Sequence, residues 1–139
     1  MKQKIYYLND EEKARLIQRL TETLQGRNEI VFAYLYGSFV EGLPFRDIDV
    51  GVYISKVKEE ESTLYSFDLA QILSKNLQMP IDVRVLNFAS VSFLYHVIRG
   101  KLILERDEKT RLPLVERTIG RYLDMKPILR KGIKEAFGK

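Results

Sequence analysis

The stretch LYGSFVEGLPFRDIDV, residues 35–50, decides how this chain is read. Its last four residues, Asp47, Ile48, Asp49 and Val50, alternate acid and apolar. That is the period of a β-strand with one wet and one buried face. On such a strand Asp47 and Asp49 point the same way, with α-carbons roughly 6.6 Å apart, while Ile48 and Val50 enter the core. Two carboxylates on one face repel each other unless a cation lies between them. Hard divalent ions take such oxygen ligands together with substrate phosphates.

Working outward, residues 30–36 form a short, almost wholly apolar run of β-branched and aromatic side chains that ends at Gly37. This predicts a strand buried on both faces. The link to the Asp47–Ile54 strand is marginal for a crossover helix, so the two strands are expected to be antiparallel or joined by a very short helix. Gly37 permits a strained turn or a close backbone approach. Ser38 then offers a hydroxyl, and the following amides offer a cradle for phosphate. Downstream, residues 81–86 (IDVRVL) alternate again and predict a third strand. If it lies beside the acidic strand, Asp82 becomes a third ligand. Three carboxylates on adjacent strands suit a pair of metal ions about 3.5–4 Å apart, as used in phosphoryl or nucleotidyl transfer. Arg84 shares the face of Asp82, either to neutralise phosphate charge or to relieve carboxylate repulsion.

The remaining chain reads as alternating helices and strands. Asn9 or Asp10 caps a helix over 10–25, with Leu16, Ile17, Leu20 and Leu24 on one face and Gly26 as its stop. Residues 56–61 (KVKEEE) read as a surface loop. Ser62 then caps a helix over roughly 63–78 that buries Leu69, Ile72, Leu73 and Leu77 and stops at Pro80. Residues 89–99 read as a helix, 101–105 as a strand or extended tail, and 108–136 as one or two helices interrupted near Pro113 and Pro127. The class is therefore α/β or α+β, with helices packed on a small sheet.

Composition narrows the chemistry. The 139 residues fit one domain, 1–139, with a basic helical segment over about 109–139. Apolar residues make up 45% and charged residues 30%, which suits a soluble globular protein. No apolar run reaches the ~20 residues of a membrane span, and the opening has no apolar signal core, so a cytoplasmic location is the default. Cysteine is absent, which excludes a thiol nucleophile, a disulfide framework and cysteine zinc sites. A lone histidine, His96, argues against a Ser-His-Asp triad and reads as a packed or surface residue. Residues 109–139 carry nine Lys/Arg against three Asp/Glu, a net of +6, whereas residues 1–108 carry a net of −2. The slightly acidic body makes nucleic acid a poor direct substrate. Tyr34, Tyr36 and Tyr53 lie in predicted strands and are expected to pack.

Taken together, the buried strand, Gly37-Ser38, the acid pair Asp47-x-Asp49 and the later Asp82 resemble the signature of minimal nucleotidyltransferases (MNT) in the DNA polymerase β-like superfamily. The small size is similar to the antitoxin half of HEPN–MNT toxin–antitoxin pairs. The ending Arg117-Thr-Ile-Gly-Arg-Tyr-Leu-Asp124 also resembles those proteins. The resemblance implies a polymerase β-like fold with a small mixed sheet flanked by helices. It implies that Asp47 and Asp49 hold both of two Mg²⁺ ions, that Asp82 completes the site near the attacking hydroxyl, and that Gly37 and Ser38 hold the triphosphate of ATP. It implies AMP transfer to a tyrosine of a cognate HEPN-type toxin, which silences that toxin. Eight residues separate Ser38 from Asp47, a shorter spacer than many family members carry. Two rival readings stand beside this one: a non-catalytic antitoxin that neutralises by binding, and a small-molecule transferase of the antibiotic-modifying sort, whose acceptor pocket would be built across a dimer.

Overall fold

A computed structural model describes residues 4–136, with the side chains of residues 4–127. Four helices and four strands alternate along it: α1 (Asp10–Gln25), β1 (Ile30–Tyr36), β2 (Ile48–Ile54), α2 (Glu59–Leu77), β3 (Ile81–Val85), α3 (Val91–Ile98), β4 (Lys101–Glu105) and α4 (Glu108–Ala136). The strands form one sheet in the order β3-β2-β1-β4. β1 pairs antiparallel with both β2 and β4, and β2 pairs parallel with β3. The sheet is thus mixed, and the short 37–47 connection joins antiparallel neighbours, the first of the two expected arrangements.

The two faces of the sheet bury different sets. Alternate residues Ala33, Leu35, Val50, Val52 and Val83 face α1 and α2, where they meet Leu16, Leu20, Leu24, Leu69, Leu73 and Leu77. Phe32, Tyr34 and Tyr36 point to the other face, against Leu94 and Val97 of α3, with Leu114 of α4 packed on the cluster. The strand tyrosines pack as expected.

Local chemistry explains each helix start. The Asn9 side chain accepts from the Glu12 N–H at 2.8 Å, and the Glu12 carboxylate accepts from the Asn9 N–H at 3.0 Å. This reciprocal cap stabilises α1 by about 1 kcal/mol. Arg106 reaches back from the end of β4 to the carbonyls of Ile30 and Gln25, so one guanidinium serves the otherwise open C-terminal end of α1.

Three expectations need correction. Helix α2 begins at Glu59, not near Ser62, so the KVKEEE segment is only partly loop. Glu59, Glu60 and Glu61 occupy its first turn, where acids favour the positive helix end, and the Glu61 carboxylate accepts from the Lys58 N–H at 3.1 Å. Ser62 is inside the helix and donates its hydroxyl to the Glu59 carbonyl. Ile72 is 40% exposed, on the solvent flank of α2. Helix α4 is continuous through Pro113 and Pro127. Both prolines lie on the exposed side, where water satisfies the carbonyl each one strands, so neither break is enforced. No helix among the described residues is long and apolar enough to cross a membrane.

Candidate active site

The site is built at the ends of β1, β2 and β3. Strand β2 starts at Ile48, which leaves Asp47 exposed just before it. Asp49 lies inside the strand and is paired on both sides: opposite Tyr36 in the antiparallel ladder and beside Asp82 in the parallel one. The register therefore brings Asp82 to the acidic strand, as required for a three-carboxylate site. Arg84 follows two residues later, its Nε 3.5 Å from Asp82 Oδ2 and its guanidinium 5.8 Å from the Phe93 ring centroid of α3.

After β1 the chain turns at Gly37, with φ at +84°, a left-handed conformation that suits glycine. A Cβ there would lie 2.4 Å from Asp49 Oδ2. The bare α-carbon lets the carboxylate rest against the turn. The turn closes when the Val40 and Glu41 N–H groups donate to the Gly37 carbonyl, both at 3.1 Å. Ser38 is exposed at its mouth. Ser38 and Phe39 N–H donate no backbone hydrogen bond among the described residues, and that of Ser38, an exposed residue, stays available to an anion. Phe39 plugs the core behind them, edge-on to Phe45 at 5.0 Å.

Electrostatics follow from this crowding. Partial burial, then the charges of Asp47 and Asp82, push the Asp49 carboxyl up to about 6, with Arg84 working against them. The same burial and the same acids push the Tyr36 phenol well above its ordinary range, so it keeps its proton. The site is short of positive charge. Its three carboxylates have the chemistry a hard divalent cation takes. Among the described residues no three acid or imidazole side chains already converge as a metal-holding group. Asp82 is turned toward Arg84 instead. Asp47 and the Asp82 side chain are solvent-accessible, so both are free to turn, and the three acids are of the chemical type such an ion takes.

Two features escape a reading of the sequence. Tyr36 packs, yet its partners include the acidic cluster and, edge-on, His96 at 5.5 Å and Phe93 at 5.6 Å. Arg99, at the end of α3, comes close to Gly37 across a shared recess. Only the adjacency of Tyr36 to Gly37 hinted at the first; the second depends on how α3 packs.

The chain matches the family described as polymerase beta, nucleotidyltransferase, over residues 18–109. No curated protein matches it. Among solved structures it is similar to a chain of the tri-AMPylated Shewanella oneidensis HEPN toxin in complex with MNT antitoxin, at 19% identity and a TM-score of 0.70, covering 91% of this chain and 99% of that one. A chain of the toxin–antitoxin MntA–HepT is 18% identical, with a TM-score of 0.69 and coverage of 90% and 99%. A chain of a toxin–antitoxin structure with AMP-PNP is 21% identical, with a TM-score of 0.66 and coverage of 94% and 100%. At these identities the likeness establishes the fold.

Proposed function

Because the chain belongs to the polymerase beta nucleotidyltransferase family, we propose that it transfers AMP from ATP to a hydroxyl, a tyrosine hydroxyl by preference, of a partner HEPN-type toxin, and so acts as its antitoxin. The observation that carries this reading is the register of Asp49 beside Asp82, with Gly37 turned against Asp49. It is supported by likeness over nearly the whole chain to structures described as toxin–antitoxin complexes, one tri-AMPylated and one with AMP-PNP. A cytoplasmic setting suits both ATP and such a partner.

Asp47, Asp49 and Asp82 would hold Mg²⁺, which when bound neutralises the carboxylates and lowers the barrier to attack on phosphate. The turn after Gly37, with the Ser38 hydroxyl and the Ser38 amide, would hold the phosphate chain. The acceptor oxygen forms a bond to the α-phosphorus, and the bond from that phosphorus to the bridging oxygen breaks. The pair of electrons leaves with pyrophosphate. The hydroxyl proton passes to Asp82, which lies at the outer strand with its side chain accessible to an incoming acceptor. Arg84 shields Asp82 until the acceptor and nucleotide arrive.

A second reading, neutralisation by binding alone, draws on the unconverged carboxylates. One experiment separates the two. The purified protein is mixed with the product of its neighbouring gene, Mg²⁺ and ATP labelled at the α-phosphate, with Asp47→Asn/Asp49→Asn as control. Label on the neighbour that requires both aspartates is the expected result. A stable complex without label sinks the transferase reading and leaves the occluding antitoxin.

A further inference from the structure

The turn at Gly37 borders a second feature besides the acids. A recess of about 240 Å³ opens beside it, where Val40 and Glu41 meet His96, Arg99 and Gly100. It falls below the ~300 Å³ at which pockets take whole small-molecule ligands. It therefore suits phosphate groups better than a nucleoside.

Arg99 makes no salt bridge among the described residues. Its guanidinium instead stacks over Tyr95, 5.6 Å from the ring centroid, and Tyr95 stacks on Tyr122 of α4 at 3.7 Å and 3°. An arginine held by its flat face keeps its N–H edges available to an anion. His96 forms the adjoining wall and packs edge-on against Tyr36. Glu41 is the one acid in the lining and sets a limit on how much anionic charge the recess favours. Tyr36 and Gly37 line the recess and also meet Asp49, the first opposite it in the β1–β2 ladder and the second against its carboxylate.

We propose that this recess receives the β- and γ-phosphates of the nucleotide donor, with Arg99 as their side-chain contact and His96 as a lesser one. This rests on the nucleotidyltransferase reading and names the part of the donor that α3 recognises. The α-phosphate stays at the carboxylates, and the chain of phosphates passes over the amides of the Gly37 turn. When the bond between the α-phosphorus and the bridging oxygen breaks, its electron pair adds negative charge to the pyrophosphate, next to Arg99. The Tyr95–Tyr122 stack makes α4 a positioning element for that arginine.

The test is calorimetric titration of the whole protein, in Mg²⁺, with α,β-methylene-ATP and separately with AMP. Arg99→Ala should weaken the triphosphate analogue by about tenfold or more, as expected for a lost charge-assisted contact, and leave AMP within about twofold. Arg99→Lys should fall between, and His96→Gln should give a smaller loss. If Arg99→Ala binds the analogue as wild type does while Asp49→Asn does not, the recess assignment is wrong and the transferase reading survives. Equal weakening for AMP and the analogue would overturn the assignment to terminal phosphates. Wild type that binds neither nucleotide overturns both the assignment and the reading it rests on.

Discussion

The Asp49 carboxylate fills the space that a side chain at position 37 would need: a Cβ on Gly37 would lie 2.4 Å from Asp49 Oδ2. The turn after β1 and the acidic strand are thus fitted to one another through an absent side chain. Gly37→Ala must meet both a left-handed φ of +84° and this overlap. Stability should fall by about 1–2 kcal/mol from the backbone conformation. Transfer should fall by more than stability implies, about 100-fold, because the carboxylate is displaced from its working position. Thermal unfolding and a labelled-ATP assay check the two effects separately; an active Gly37→Ala protein would break the link between turn and acid.

Asp49 also sets a pH dependence. Its carboxyl is raised from 3.8 to about 6 in the folded protein, so the folded state disfavours the charge. The sign follows: the stabilising contribution of the protonated form is fully present below about pH 4 and is lost as pH rises through about 6. The rise from 3.8 to about 6 is at most about 3 kcal/mol, and solvent at this half-exposed edge reduces it to about 1 kcal/mol. Asp49→Asn should therefore unfold at higher temperature than wild type at pH 7 without metal, with the gap closing at pH 4. Wild type that is the more stable of the two at pH 7 would refute the crowding of charge.

Arg84 faces two roles, and a titration distinguishes them. It lies 3.5 Å from Asp82 and lowers the Asp49 carboxyl. If relief of repulsion is its part, Arg84→Gln should move the Asp49 titration further up, readable by carbon-13 carboxyl shifts in the metal-free protein. The exposed ion pair itself should contribute less than about 1 kcal/mol to folding. An unmoved titration together with weaker nucleotide binding would assign Arg84 to phosphate instead.

Gly100 joins α3 to β4 where the chain crosses β1. A Cβ there would lie 2.0 Å from the Leu35 carbonyl oxygen, a backbone atom in the centre of the sheet. The strand has no room to yield, so Gly100→Ala should destabilise the protein by about 3 kcal/mol, within the range for overpacked interiors. Chemical denaturation measures it. A loss under about 1 kcal/mol would mean that the β1–β4 register shifts easily.

What the sequence conveyed and what it withheld divide along a physical line. Period-two alternation at 47–54 and 81–86, the turn glycine at 37 and the Asn9–Glu12 cap are local patterns, and each is realised in place. Asp82 was reachable because parallel pairing of two alternating strands puts their acids on one face. The start of α2 was missed because a run of glutamates looks polar before it looks helical. The continuity of α4 was missed because a proline's effect depends on whether its stranded carbonyl meets water. The place of Tyr36 among the acids, and of Arg99 by Gly37, depends on ladder register and helix packing, which no local spacing encodes.

The basic segment carries the last prediction. Arg117 and Arg121 are exposed on α4, while Thr118 is buried and Tyr122 stacks on Tyr95 of α3. Helix α4 thus fixes one side to the domain and presents cations on another. Reversing both arginines to glutamate takes the net charge of residues 109–139 from +6 to +2, with little change in folding, within about 0.5 kcal/mol. An acidic partner surface should then be bound about tenfold more weakly at low salt, chiefly through slower association, and the two proteins should converge as salt rises. Surface-plasmon kinetics with the neighbouring gene product, at low and at high salt, supply the comparison. Equal association rates at low salt would show that the cations of α4 face solvent in the complex and that the partner is gripped elsewhere.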